Sequence, residues 1–338
     1  MSQLVGCTEP DTIPSREVSK APPQPPSGNA IVASEPGRTF SVTAFRLGDQ
    51  DDSGASHPYE WERFGFDLDE MITHNDFDEH CHPALGGSPG VVFPDGLGGV
   101  DNSFGKNLIP IIKLVFSEAR DDFDGTVNAS IGRVTSGLIM RTTAFSSSAD
   151  ATDIDATAVV AWRADAATGW DVDQDSVAEP DAADIEGSIA RAHAAFNGGY
   201  LNGDVLVLPP GPDTWLDLQL DVKASVIPVR VHHPLLVVQL DATHTQGRGV
   251  LTGVLLDEEA QDGARFAAYK ADRSFCEGAS IEGVIFDVGQ TADIMADEGQ
   301  DPTQTCDAIS FAVGIEIEAL DEPISGLVSR PLTDPCAE

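Results

Sequence analysis

The chain has 338 residues, of which 41% are hydrophobic, and this is enough apolar material for one large or two modest domains. Its 56 acidic and 19 basic residues give a net charge of −37, which argues against nucleic acid as a partner. So acidic a surface is compatible with binding divalent cations. No run of about 18 apolar residues occurs, so the sequence predicts no membrane-spanning segment.

The N-terminus carries the first recognisable pattern. Leu4-Val5-Gly6-Cys7 is similar to the bacterial lipobox, in which small residues precede a cysteine that is lipidated on sulfur. The stretch Thr8–Gly37 contains seven prolines among serines and almost no large apolar residues, which predicts an extended tether over residues 1–37. We therefore expect a lipid anchor at Cys7 and an export signal encoded upstream of it. The alternative is a disordered N-terminus whose cysteine has no role.

The body, residues 38–338, is predicted to be a single domain that begins with a strand near Thr39. The most regular strand is 215–222, where Leu, Leu, Leu and Val alternate with Asp and Gln. Further strands are predicted at 226–231, 235–242, 249–256, 281–288 and 309–320. Strands separated by turns, without regular intervening helices, indicate a mainly β fold. We expect an antiparallel β-sandwich, jelly-roll-like, with a few short helices.

Helices are predicted in three regions. One starts at Asn102 or Ser103 and contains Pro110, which is expected to kink or divide it. The alanine-rich stretch 180–196 predicts a second helix. Short helices are expected at 257–270 and 290–298, and the polar stretches 146–156 and 165–181 read as loops.

Four cysteines follow Cys7, namely Cys81, Cys276, Cys306 and Cys336. An even number without a C-x-x-C pair fits two disulfides in an oxidising compartment. Sequence alone allows three connectivities. We favour Cys276 with Cys306 and Cys81 with Cys336, because the first pair is nearest in sequence and the second would tie the C-terminus to the body.

Two acidic, glycine-containing segments, 65–81 and 94–105, predict a calcium site. Carboxylate and amide oxygens on flexible loops are the ligands that calcium prefers, and the spacing does not reproduce an EF-hand. The alternative is that these residues cap helices and turns, for instance Asp101-Asn102 at the start of the following helix. The proposed ligands are Asp67, Asp69, Asp95, Asp101 and Asn102.

A resemblance to a group of proteins rests on four features of the sequence: the acidic segments 65–81 and 94–105, the lipobox-like start, and the stretch CDAISFAVGIEIEA at 306–319. In these motifs the chain resembles a group of uncharacterised exported lipoproteins of Gram-negative bacteria. The resemblance implies an exported, anchored, β-rich domain without any known activity. The chain departs from the pattern at Glu70, where a turn glycine is expected.

Two functions remain open from the sequence. The leading hypothesis is a non-enzymatic exported lipoprotein at the outer membrane or cell surface. It would act as a binding or structural module for a carbohydrate or protein ligand, stabilised by calcium. The alternative is a secreted glycoside or ester hydrolase on a β-sandwich. Residues 86–90, GGSPG, match the G-x-S-x-G hydrolase pattern, but Pro89 lacks the backbone N–H that an oxyanion hole needs.

Overall fold

The computed structural model describes residues 20–28, 30–51, 53–116, 119, 121–131, 137–163, 169–222, 225–277 and 279–337. Strands hold 37% of the residues and helices 22%, so the predicted mainly β class is confirmed. Residues 1–19 lie outside the described part of the chain, and the predicted lipidation site Cys7 is among them.

The described chain contains fourteen strands. They are β1 Ile31–Val32, β2 Glu35–Pro36, β3 Thr39–Arg46, β4 Gly137–Thr142, β5 Ala144–Phe145, β6 Ala151–Trp162, β7 Trp170–Asp173, β8 Ala194–Asn202, β9 Val205–Leu208, β10 Trp215–Val222, β11 Ser225–Leu240, β12 Gln246–Leu256, β13 Ala308–Ala319 and β14 Ile324–Val328.

Eight of these strands pair edge to edge in a closed circle. Starting from β6, the order is β4, β3, β13, β12, β11, β9 and β8, and β8 pairs with β6 again. All eight pairings are antiparallel, which an even number of strands allows. β10 pairs with the first half of β11. Two parallel pairings, β1 with β6 and β14 with β7, make the sheet mixed at its margins.

One continuous core fills the inside of this curled sheet. Along β10 every second residue, from Leu216 to Val222, is at most 3% exposed, as the alternation in the sequence predicts. These side chains belong to one apolar cluster with inward residues of β3, β11 and β13. Apolar side chains facing each other across the inside of one curled sheet are consistent with the predicted sandwich.

Helices pack against the sheet, and buried side chains from residues 104–112 and 123–127 belong to the same core cluster as the strands. The described residues form six α-helices. A π-helical turn, Phe104–Leu108, leads directly into the second of them, where Pro110 occupies the first turn, which tolerates proline. The α-helices are α1 Pro89–Val92, α2 Ile109–Val115, α3 Phe123–Ile131, α4 Ile185–Ile189, α5 Asp257–Ala271 and α6 Glu282–Gly289, and the 3₁₀ helices are Glu60–Arg63, Gln174–Ser176 and Arg273–Phe275.

Helix α6 spans Glu282–Gly289, so the strand predicted at 281–288 is wrong. The apolar residues Ile281, Ile285 and Val288 follow the i, i+4, i+7 spacing of one helical face, and all three are buried. Ile281 and Ile285 pack with Ala268 of α5. The β-branched residues favour a strand, but packing of this face against α5 overrides that preference.

Other boundaries also differ from the sequence predictions. The predicted loop 146–156 contains the start of β6, where buried Ile154 and Ala156 alternate with exposed aspartates. Small alanines in inward positions hide this alternation from a hydrophobicity pattern. The two strands predicted at 226–231 and 235–242 form one strand, β11, with a bulge between them. Only Ile185–Ile189 of the second predicted helix is helical.

The later part of the proline-rich N-terminal stretch lies against the domain. The carbonyl of Lys20 accepts a 3.0 Å hydrogen bond from the backbone of Asp67, and the Tyr200 hydroxyl donates to the carbonyl of Pro23. β1 pairs with β6, and β2 pairs with β5. The described residues of the predicted tether, from Lys20 onward, therefore contact the domain.

All four cysteines of the body are oxidised, as the sequence predicts. The bonds join Cys81 to Cys306 and Cys276 to Cys336, with Cα–Cα distances of 5.1 and 5.4 Å. The favoured connectivity is therefore wrong.

The physical reason is a long-range backbone pairing. His82 donates its N–H to the carbonyl of Gln304 at 2.7 Å, and Cys306 donates to the carbonyl of His82 at 2.9 Å. This pairing places Cys81 beside Cys306, although 225 residues separate them in sequence.

The two disulfides differ in exposure, which predicts an order of reduction. Cys81 and Cys306 are 1% and 3% exposed, whereas Cys336 is exposed and Cys276 is half-buried. A dilute thiol attacks only a sulfur that it can reach. When the native protein is treated with a dilute thiol and an alkylating reagent, we expect the Cys276–Cys336 bond to be reduced first. Peptide mass spectrometry should then find the alkyl label on Cys276 and Cys336 before it appears on Cys81 and Cys306. Equal labelling of all four cysteines would contradict this order.

Candidate metal centre

Three of the predicted calcium ligands come together in space. Asp67 and Asp69 follow the first 3₁₀ helix, and Asp101 immediately precedes the helix that contains the π turn. One carboxylate oxygen from each of the three residues lies within 4.8 Å of the other two. Asp67 and Asp101 are buried, and Asp69 is half-buried. The structure thus brings together carboxylates from both acidic segments, and their use as calcium ligands stays a prediction.

Hydrogen bonds join the loop that carries Asp67 and Asp69 to the loop that carries Asp101. Asp101 donates its N–H to the carbonyl of Phe66 at 3.0 Å, and its Oδ2 accepts the N–H of Leu68 at 2.7 Å. The Oδ1 of Asp69 accepts the N–H of Met71 at 2.9 Å, which closes a turn around Glu70. Glu70 has a φ of 61°, the left-handed conformation for which a glycine was expected.

Gly99 lets the second loop approach the carboxylates. Its φ is +75°, and a Cβ atom at this position would lie 2.9 Å from Oδ2 of Asp67. Both the backbone conformation and the close approach therefore require glycine. A larger residue here would displace the Asp67 carboxylate.

Asp95 joins the cluster through the same two loops. Its Oδ2 accepts the N–H of Thr73 at 2.5 Å, and its side chain hydrogen-bonds with that of Asp101. Two carboxyl groups can share a hydrogen bond only when one of them holds a proton. Burial, together with the nearby charges of Asp69 and Asp293, raises the pKa of Asp95 to about 8, although the hydrogen bonds with Thr73 and Asp101 lower it. Burial also raises the pKa of Asp101 well above its ordinary value.

A fifth carboxylate, Asp293, was not identified from the sequence. It lies between α6 and β13, and its two oxygens accept the N–H and the hydroxyl of Ser310 at 2.7 and 2.6 Å. Burial raises the pKa of Asp293 to about 7, although the hydrogen bonds from Ser310 lower it. Gln300 connects the groups, because its Nε2 donates to Oδ2 of Asp69 at 2.8 Å and to the carbonyl of Asp293 at 3.0 Å.

Lys106 supplies positive charge beside the cluster. Its ammonium donates to the carbonyls of Val92 and Pro94 at 3.2 and 2.6 Å and lies 5.6 Å from the ring centre of Trp61. Burial lowers the pKa of Lys106, whereas the charges of Asp293 and its neighbours raise it. Among the described residues, the Lys106 ammonium thus offsets part of the negative charge that Asp293, Asp95 and Asp101 bring together.

Asn102 is not available as a metal ligand, and this corrects the predicted ligand set. Its Nδ2 donates to the carbonyls of Trp61 and Phe64, and its Oδ1 accepts the N–H groups of Gly105 at 2.9 Å and Ala312 at 3.3 Å. The bond from Gly105 is an N-terminal helix cap. The capping alternative is therefore correct for Asn102.

The hydrolase motif at 86–90 has no catalytic partner in the described part of the chain. Ser88 precedes the one-turn helix α1, and no hydrogen bond joins it to a histidine among the residues described. The buried His244 uses both ring nitrogens, one with Asp204 at 2.8 Å and the other with the carbonyl of Ser146 at 3.2 Å. His244 thus cross-links loops and has no free nitrogen for proton transfer.

Comparison with known proteins found no family model, curated protein or solved structure that matches this chain. Within the described residues, every helix is too short or too polar to cross a bilayer.

The carboxyl cluster predicts how stability depends on pH when no divalent cation is present. The pKa values of Asp95 and Asp293 are raised in the folded chain, so the folded state holds more protons than the unfolded state between about pH 4 and pH 8. The free energy of unfolding should therefore fall as pH rises through this window. Thermal unfolding in chelator is expected to show a melting temperature at least about 3 °C lower at pH 8 than at pH 5.

Asp95→Asn separates this effect from general repulsion in an acidic chain. The neutral amide mimics the protonated acid, so in chelator the variant should be more stable than the wild type at pH 8 and equal to it at pH 5. Asp78→Asn, in the same region but exposed, should change the free energy of unfolding by less than about 0.5 kcal/mol. A destabilised Asp95→Asn protein at pH 8 would show that the carboxylate is needed in its charged form.

Proposed function

We propose that the chain is an exported, non-enzymatic binding or structural module whose carboxyl cluster holds one calcium ion. The observation that carries this proposal is the convergence of oxygens from Asp67, Asp69 and Asp101 within 4.8 Å. Calcium takes six to eight oxygen ligands and accepts irregular loop geometry. Asp95 and backbone carbonyls of the same loops are suitable additional ligands.

Burial supports a structural ion over a substrate site. Asp101 and Asp293 are 5% and 8% exposed, and their oxygens are engaged by backbone N–H groups and by Ser310. A glycosidase needs its two carboxyl groups on either side of an open cleft. An ion can be enclosed by these loops, whereas a polysaccharide chain has no comparable access to oxygens this deeply buried.

An exported location is supported by the two disulfides. Disulfides persist in oxidising compartments and are rare in the cytosol. The resemblance to exported lipoproteins and the lipobox-like residues 4–7 favour a lipid anchor at Cys7 in the outer membrane or at the cell surface. Residues 8–19, which include two prolines, would form the spacer between the membrane and the folded domain.

Calcium should stabilise the protein most where protons do not already neutralise the cluster. At pH 8, calcium at 100 times its dissociation constant should raise the free energy of unfolding by about 2.7 kcal/mol relative to chelator. At pH 5 the effect should be smaller, because protons compete for the same oxygens. Thermal unfolding at both pH values measures the difference.

The ligand variants make this experiment specific. Asp67→Asn with Asp69→Asn should abolish the calcium effect, while the exposed control Asp78→Asn should retain it. An unchanged melting temperature in calcium at pH 8 would refute the calcium site. A shift that survives in the double variant would place the ion elsewhere.

The anchor can be tested chemically in the native host. We expect Cys7 to be the first residue of the mature protein and to carry acyl chains, because two or more chains are needed for stable anchoring. Mass spectrometry of the membrane-extracted protein identifies the modified N-terminal peptide. Cys7→Ser should release the protein into the soluble fraction with its disulfides intact. An unmodified Cys7 would rule out the anchor.

A further inference from the structure

A groove on the outer surface lies away from the carboxyl cluster. Its floor is the outward face of β10 and β11, one wall is α5, and the opposite wall is the end of β7 with the following 3₁₀ helix. Residues 330–332 of the C-terminal segment lie along its rim. The cavity volume is about 490 Å³, which is within the usual range for small-ligand sites.

The groove is acidic, and its arginines are already engaged. Arg230 on the floor binds Asp217 through Nε at 2.7 Å and lies 3.6 Å from Glu259 of α5. Two further carboxylates, Asp175 and Asp262, are exposed on opposite walls. Neither forms an ion pair among the residues described here. The groove therefore offers two solvent-facing negative charges with no protein cation paired to them.

Apolar side chains also line the groove. Phe266 of α5 is half-buried in the wall, and Leu332 on the rim is 44% exposed. Pro228 contributes to the floor. Exposed apolar groups next to unpaired carboxylates suit a ligand that has both a hydrocarbon portion and a positive charge.

The aromatic faces nearby are covered, which argues against a sugar as the ligand. The His193 ring stacks on Trp215 with 4.3 Å between ring centres and 19° between planes, and Arg230 lies 5.6 Å from the same ring. Arg330 lies 4.6 Å from the ring centre of Trp162. Sugar rings bind on exposed aromatic faces, and these two tryptophans offer none.

We propose that this groove binds a small aliphatic amine, with ammonium groups at Asp175 and Asp262 and the hydrocarbon chain against Phe266 and Leu332. The proposal rests on the binding role proposed above but not on calcium. The Cys276–Cys336 disulfide fixes the C-terminal segment to the end of α5, so it also holds the rim that carries Leu332.

The probe for this site is 1,8-diaminooctane, titrated calorimetrically into the full chain at about 150 mM salt, where the Debye length is about 8 Å. We expect one molecule bound per chain. Asp262→Asn should weaken binding about fivefold, which corresponds to the loss of one favourable charge pair. Phe266→Ala should weaken it about tenfold. Glu258→Gln, an exposed neighbour on α5 outside the groove, should bind within twofold of the wild type.

Two other probes separate the groove from nonspecific attraction by an acidic surface. 1,2-Diaminoethane has the same charge without the hydrocarbon chain and should bind at least tenfold more weakly. A tetralysine peptide should also bind more weakly than the diamine. Any one of three results would overturn the proposal. These are equal affinity for both diamines, an equal loss of affinity in Asp262→Asn and Glu258→Gln, and tighter binding of the peptide than of 1,8-diaminooctane.

The same titration in chelator separates this proposal from the calcium site. Unchanged affinity supports the groove whatever the calcium experiments show, because none of its lining residues belongs to the carboxyl cluster. Binding that depends on Asp67 and Asp69 would assign the amine to the cluster and overturn the groove. Cys276→Ser with Cys336→Ser should weaken binding about threefold by freeing the rim.

Discussion

The mutual repulsion of five neighbouring carboxyl groups, three buried and two half-buried, is the constraint around which this part of the molecule is organised. Asp67, Asp69, Asp95, Asp101 and Asp293 come from three loops, and within the described part of the chain the Lys106 ammonium lies beside three of them, Asp95, Asp101 and Asp293. Charged groups this close cannot all ionise in a poorly solvated interior. Protons or a cation that neutralise part of this charge should therefore stabilise the fold, which links its stability to pH and to divalent cations.

The loops are connected so that a change in the cluster reaches the rest of the domain. Gln300 hydrogen-bonds with Asp69, and its Oε1 accepts the N–H of Cys81 at 3.0 Å. The Cys81–Cys306 bond lies just before β13, and Ser310 within that strand binds Asp293. β13 is a member of the closed circle of strands. A cation in the cluster would thus stabilise the sheet through hydrogen bonds and a disulfide already in place.

The sequence predicted the elements whose burial follows a regular pattern and missed those that depend on distant partners. β10 was predicted with its observed bounds, because large apolar residues alternate over its full length. Helix α6 was mistaken for a strand, since only the packing of Ile281 and Ile285 on α5 shows which period applies. A site containing Asp67, Asp69 and Asp101 was predicted from ligand types, but Asp293 carries no local signal and is held in place by Ser310 and Gln300, which are distant in sequence from the other carboxylates.

The central claim is that calcium replaces protons in the carboxyl cluster. Calorimetric titration of calcium at pH 7 in buffers of different ionisation enthalpy counts the protons released on binding. Because burial raises the pKa of Asp95 to about 8 and that of Asp293 to about 7, both are partly protonated at this pH. The account predicts that about one proton is released per calcium ion bound. The double variant Asp67→Asn, Asp69→Asn should show neither calcium binding nor proton release. Calcium binding without proton release would contradict it.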